Sequence, residues 1–337
     1  MDSNAFKNSN SHKFFKLSLN YEKPAISLKN SLNKELFSVL NLYQQSSILS
    51  SNIVSLNTLI TCQLILLSLE RQRSLLKSNN CHLFDKRSIS FCYSCPIGLI
   101  LAPRLQISPQ KVVEDLGNLL AQRSSSIEQS LPLYLYTDST GWLNFCVSEQ
   151  AIAIWLKRLW RLKTYTLDNN SLSTLTKSDN PSGTLRDRTS KSNLFSVQYI
   201  HARCCSLLRL GAREQLISLV NNDFDEAGWQ FTQPRSISWL DRSHHLWLDR
   251  HSEYDLLRQL LTVTDSQTAT NSSIWSKLAL DLSQATAIFL ADCRFLGEIK
   301  ERSPQRAIAR LGLIALAQYW LQKILREKLN IAAPTTL

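Results

Sequence analysis

The stretch TYTLDNNSLSTLTKSDNPSGTLRDRTSKS, residues 164–192, constrains this chain more than any other feature. It is rich in Ser, Thr, Asn and Asp and almost devoid of large apolar side chains, so it has nothing with which to build a core. A chain of 337 residues with this tract just past its middle reads as two folded modules and a linker. The organisation that follows is a mobile arm at 1–30, a mixed module at 31–162, the linker at 163–192 and a helical module at 193–337.

The two sides differ in character. Apolar spacing predicts helix between 31 and 78, through Leu36, Val39, Leu40, Leu56, Ile60 and Leu64. The run IVSLNTLITCQLILLSL (53–69) is too short and too often interrupted by Ser, Asn, Thr and Gln to span a membrane, and reads as a buried helix. In SPQKVVEDLGNLLAQR, Ser108 is the N-cap, Pro109 the first helical residue, and Val112, Leu116 and Leu119 or Leu120 the apolar stripe. LPLYLYT and WLNFCVS alternate as strands about the turn Asp138–Gly141, which predicts a hairpin, and a Trp-rich helix closes the module. After residue 192 no run reads as strand. Helical patterns cover roughly 193–222, 253–265, 274–297 and 303–329, and in the last Leu313, Ala317, Trp320, Ile324 and Leu325 share a face. The fold class is therefore α+β: a mixed domain with a small antiparallel sheet, then an all-α helical bundle.

Glycine scarcity excludes a large class of enzymes. The chain holds eight glycines, the closest pair (Gly297 and Gly312) fifteen residues apart. Phosphate-cradling loops need two or more within about seven residues so that backbone N–H groups can approach the phosphates. The net charge of +11 favours an anionic partner. Its basic excess is six in residues 1–160, two in 161–190 and three in 191–337, so it is no basic tail. A phosphate-facing surface and a mildly basic solvated one both fit this distribution.

Other chemistry is thin. Cys92-Tyr-Ser-Cys95 lacks the second ligand pair a zinc site needs and reads as structural thiols. His244, His245 and His251 stand near Asp241 and Asp249, but the Leu and Trp among them suggest a packed connection. No metal and no cofactor is expected. Eight cysteines without a secretory h-region point to reduced thiols and a cytoplasmic protein. The basic groups are more informative. Arg203, Arg209, Arg213, Arg294 and an i,i+4 series Arg302, Arg306 and Arg310 accompany Phe195, Tyr199 and Trp320, a mixture that suits unpaired RNA bases or a solvated helix face.

The residues of NLFSVQYIHARCCSLLR decide between these. Val197, Gln198, Tyr199, His201, Ala202, Arg203, Ser206 and Arg209 match a V-Q-Y-A-H-A-R-x-x-S-I-x-R pattern, with Ile200 in place of Ala. The stretch resembles the start of the anticodon-binding domain of arginyl-tRNA synthetases, the all-α domain known by its Asp-Ala-Leu-Arg (DALR) signature. HSEYDLLRQLL (251–261), LALDLSQATAIFLADCRFLG (278–297) and RAIARLGLIALAQYWLQKILREKLNIAAP (306–334) resemble the family's later helices in order. CPIGLILAPRLQISPQKVVEDLGNLL and GWLNFCVS are similar to the family's N-terminal additional domain, which approaches the tRNA elbow; Gly141, Asn144 and Phe145 match its hairpin.

The departures matter as much. The family's catalytic domain lies between these two modules, and here the polar linker stands in its place. No His-x-Gly-His or Lys-Met-Ser-Lys occurs, and Gly183-Thr-Leu-Arg186 is at most a remnant of the signature. The resemblance implies a non-catalytic tRNA-binding protein, with arginine tRNA as the named partner and a full-length synthetase as a second. On this reading Tyr199, Arg203 and Arg209 are anticodon-side residues, Arg306 and Arg310 phosphate-side, Asn144 and Phe145 elbow-side, and Arg294 a further tRNA-binding residue. The rival readings are a protein–protein module that docks on a synthetase or self-associates, and a truncated synthetase subunit with ligase activity.

Overall fold

The computed structural model describes residues 6–7, 13–20, 27–46, 64–67, 71, 91–123, 130–170, 194–219 and 231–337. The chain is α+β and divides into two compact units, Met1–Ile154 and Trp155–Leu337.

The first unit is built on a six-stranded antiparallel sheet of order β1-β2-β5-β6-β4-β3. Its strands are β1 (Phe6–Lys7), β2 (Lys13–Asn20), β3 (Ile65–Leu66), β4 (Phe91–Cys95), β5 (Ser130–Thr137) and β6 (Leu143–Val147). The expected hairpin is β5–β6. Asp138 Oδ1 closes it by accepting from the backbone N–H groups of Thr140 and Trp142, while Gly141 takes φ +89°, which disfavours a side chain. Helix α1 (Leu28–Ser46), α2 (Ile97–Leu105) and α3 (Pro109–Arg123) belong to the same unit. Ser108 caps α3 through its hydroxyl, Pro109 opens it, and Val112, Leu116 and Leu120 are buried. Helix α3 packs on α1, β2 and β5.

Two expectations for this half need correction, and one strand carried no signal. Residues 1–30 are no mobile arm throughout, because β2 pairs along its whole length with β5, from Lys13↔Thr137 to Asn20↔Ser130. The helix expected over 53–69 ends in strand, since Ile65 and Leu66 extend the sheet beside β4; residues 53–63 lie outside the described set. Strand β4 went unread because all five of its residues are buried, which leaves no alternation to detect.

Helix α4 (Glu149–Asn170) spans the division between the units. It runs eight residues past the boundary expected at 162, and Lys163, placed in the linker from composition, is buried. Residues 171–192 lie outside the described set.

The second unit holds α5 (Phe195–Arg213), α6 (His251–Asp265), α7 (Ser272–Asp292), α8 (Glu298–Arg302) and α9 (Pro304–Lys323), the last ending in a π-turn over Ile324–Lys328. It is not purely helical: β7 (Ser218–Leu219) and β8 (Phe231–Gln233) pair antiparallel, strands too short to carry a period. Helix α9 is central. It packs on α5, α6 and α7, and from Ala307 to Leu321 it is buried nearly all round. Gly312 is needed there because a Cβ would strike the Ile237 and Trp239 side chains.

Candidate nucleic-acid interface

Helix α5 has a buried face, a tail-binding flank and an open face. Val197, Cys204, Cys205 and Leu208 are fully buried in the unit's core. On the flank, Gln198 donates to the Ala332 carbonyl at 2.8 Å and Arg209 to the Thr335 carbonyl at 3.2 Å. Between them His201 Nδ1 lies 2.8 Å from the Pro334 carbonyl, and its Nε2 lies 3.0 Å from the Gln318 amide nitrogen. A carbonyl can only accept, so Nδ1 carries the proton and Nε2 receives the Gln318 N–H. Burial lowers the His201 pKa to about 4, so the imidazole is neutral near neutral pH. Three residues of the sequence motif thus hold the chain's last residues against α5.

The open face is aromatic and basic. Phe195 is 58% exposed and Tyr199 50%, and Arg203, Ser206 and Arg213 are exposed beside them. At about 100° per residue these five fall within one stripe about 80° wide. Among the described residues neither Arg203 nor Arg213 makes an ion pair, so both charges face solvent. Arg209 lies at the margin of the stripe with its guanidinium turned to the tail.

The remaining candidates fare differently. Arg294 is exposed on the turn after α7. Arg310 is not a phosphate ligand: it is 3% exposed, its Nε donates to the buried Glu253 carboxylate at 2.7 Å, and its Nη1 donates to the Arg294 carbonyl. Glu253 also accepts from the backbone N–H of Arg250 at 2.7 Å, so the buried pair is well bonded. Arg306 pairs with Asp249 at 2.9 Å and Arg302 with Glu298, so the expected basic stripe is a row of three ion pairs. The Glu298–Arg302 pair is a local i,i+4 contact that the sequence does show, whereas the partners of Arg306 and Arg310, Asp249 just before α6 and Glu253 within it, are brought to them by the fold.

Asn144 and Phe145 are not surface contacts either. Both are buried in β6, where Asn144 Oδ1 accepts from the Ser94 hydroxyl at 2.5 Å. Asn144 Nδ2 has no hydrogen-bond partner among the described residues. Lys163 is the group that composition hid. Its ammonium nitrogen lies 5.0 Å from the Trp160 ring centroid and 5.1 Å from that of Phe231, and burial lowers its pKa to about 7.

Metal chemistry finds no cluster. Among the described residues no group of three or more His, Cys, Asp or Glu side chains comes together. Asp241 Oδ1 accepts the N–H groups of Ser243 and His245, His251 pairs with Asp255, and Asp249 is held by Arg306. Among the described residues no helix is long and apolar enough to cross a membrane.

No protein-family model, curated protein or solved structure matches the chain. The likeness to arginyl-tRNA synthetases therefore rests on the motifs quoted above, and the geometry of α5 stands independently of it.

Proposed function

We propose that this is a non-catalytic tRNA-binding protein that engages unpaired bases and phosphates through the open face of α5. One observation carries the reading: Phe195 and Tyr199 offer exposed rings one helical turn apart, flanked by Arg203 and Arg213, neither of which makes an ion pair among the described residues. Rings of that kind stack on bases of any sequence, and guanidinium groups take phosphates or stack in their turn. The motif resemblance to the synthetase anticodon-binding domain names the anticodon stem-loop of arginine tRNA as the RNA to try first. Arg294, exposed beyond α7, is retained as a further cationic contact.

The chain carries out no aminoacylation on this reading, because an aminoacyl-adenylate needs a nucleotide site that its glycine spacing and motifs do not supply. Filter binding of arginine tRNA at two salt concentrations tests the proposal. Binding with a dissociation constant below ~10⁻⁴ M that weakens as salt rises is the expected result. Weaker binding, or affinity indifferent to salt, would refute it. Exposed Phe195 and Tyr199 also suit a protein partner, and a complex that survives RNase treatment in place of tRNA binding would favour that second reading.

A further inference from the structure

Cys92 and Cys95 have the spacing of a redox dithiol but not its geometry. They sit three residues apart on β4, and successive strand residues face opposite sides of a sheet. Cys92 instead faces a cysteine 54 residues further on. In the β4–β6 ladder Cys92 lies directly opposite Cys146, and their sulfurs are 2.7 Å apart. Tyr93↔Phe145 and Phe91↔Val147 pair on either side, so the register that brings the sulfurs together is set by the whole ladder. Both thiols are buried, in a small cluster with Leu67 on which Tyr134 packs.

We propose that Cys92 and Cys146 form a redox-active pair, a modification site that a small disulfide oxidant converts to a covalent bridge between β4 and β6. One thiolate attacks the oxidant disulfide, forming a mixed disulfide and releasing one thiol. The second cysteine's thiolate then attacks the protein sulfur of that mixed disulfide and releases the second thiol. Two S–H bonds and the oxidant S–S bond are lost; the Cys92–Cys146 bond and two oxidant thiols are gained, and the two electrons reside on the oxidant. The hydrogen bond with Cys92, and after it burial, push the Cys146 thiol well above its ordinary pKa. Cys146 thiolate is scarce while the sheet is closed, and both sulfurs are buried, so bridging proceeds through local opening and is slow. Once made, the bridge closes a long loop and raises the stability of the first unit.

The test treats the full chain with oxidised glutathione under folding conditions, caps the remaining thiols with iodoacetamide in denaturant and maps the peptides by mass spectrometry. A Cys92–Cys146 cross-linked peptide, lighter by two hydrogens than the reduced pair and released by dithiothreitol, is the expected product. The first unit's melting temperature should rise on the order of 5–10 °C. Cys92→Ala should abolish both the cross-link and the shift; if that variant does not fold, the map of the unmodified chain decides alone. Carbamidomethyl groups on both Cys92 and Cys146, a stalled glutathione adduct on either, or a Cys92–Cys95 bridge would overturn the proposal.

Discussion

Arg203 and Arg310 both stand on helices of the second unit, and their surroundings give them opposite tasks. Arg310 is sealed against Glu253, so removing it strands a buried carboxylate. Arg310→Ala should cost about 3–5 kcal/mol in urea unfolding. Arg203→Ala should leave stability within about 0.5 kcal/mol and instead weaken RNA binding and flatten its salt dependence by about one ion. Unfolding curves and tRNA titrations on the same two variants check the contrast. The sequence showed both arginines in matching patterns. It could not distinguish them, because burial is decided by what α6 contributes, and no local periodicity records that. His201 is a third case. Its folded pKa of about 4 lies below the ordinary 6.5, so as pH falls the unfolded chain takes the proton first. Stability from this group is therefore whole above pH 6.5 and declines as pH falls toward 4, by ~3 kcal/mol at the acid end. His201→Asn should show a shallower loss than the parent chain over that window in urea unfolding.

At the scale of elements, α5 explains why its motif spreads over three faces. Gln198, His201 and Arg209 bind the carbonyls of Ala332, Pro334 and Thr335, while Tyr199 and Arg203 remain in solvent. Deleting residues 332–337 removes these three bonds, each worth about 0.5–1.5 kcal/mol, and leaves buried His201 without its acceptor. The deletion should lower the second unit's stability by roughly 2–4 kcal/mol and speed amide hydrogen exchange along α5. What was legible here were elements with a period or a cap: α3 from Ser108 and Pro109, the β5–β6 hairpin from its turn, and α9 from its apolar face. What was not legible had neither. Strand β4 is buried on both sides, and β7 and β8 are two and three residues long; β2 is the exception, since Phe15, Leu17 and Leu19 alternate with polar residues, but its partner β5 lies far along the chain.

For the whole molecule, the proposal is binding without catalysis, argued from glycine spacing, the missing synthetase motifs and the open face of α5. The purified chain should give no ATP–pyrophosphate exchange above a blank with arginine and arginine tRNA present. Fold class followed from the contrast between the halves of the sequence, but the boundaries moved, because composition ended the first module at 162 whereas α4 continues as helix to Asn170. The open stripe of α5 was only half legible: the spacing of Phe195, Tyr199 and Arg203 is in the sequence, and the freedom of Arg203 from carboxylate partners among the described residues is not. That stripe is the central claim, and a titration of arginine tRNA against the parent chain and the Tyr199→Ala/Arg203→Ala double variant tests it most directly. Loss of a stacking ring alone is worth ~1–3 kcal/mol, so the account predicts at least about tenfold weaker binding with an unchanged unfolding curve. Equal affinity for the two proteins would contradict it.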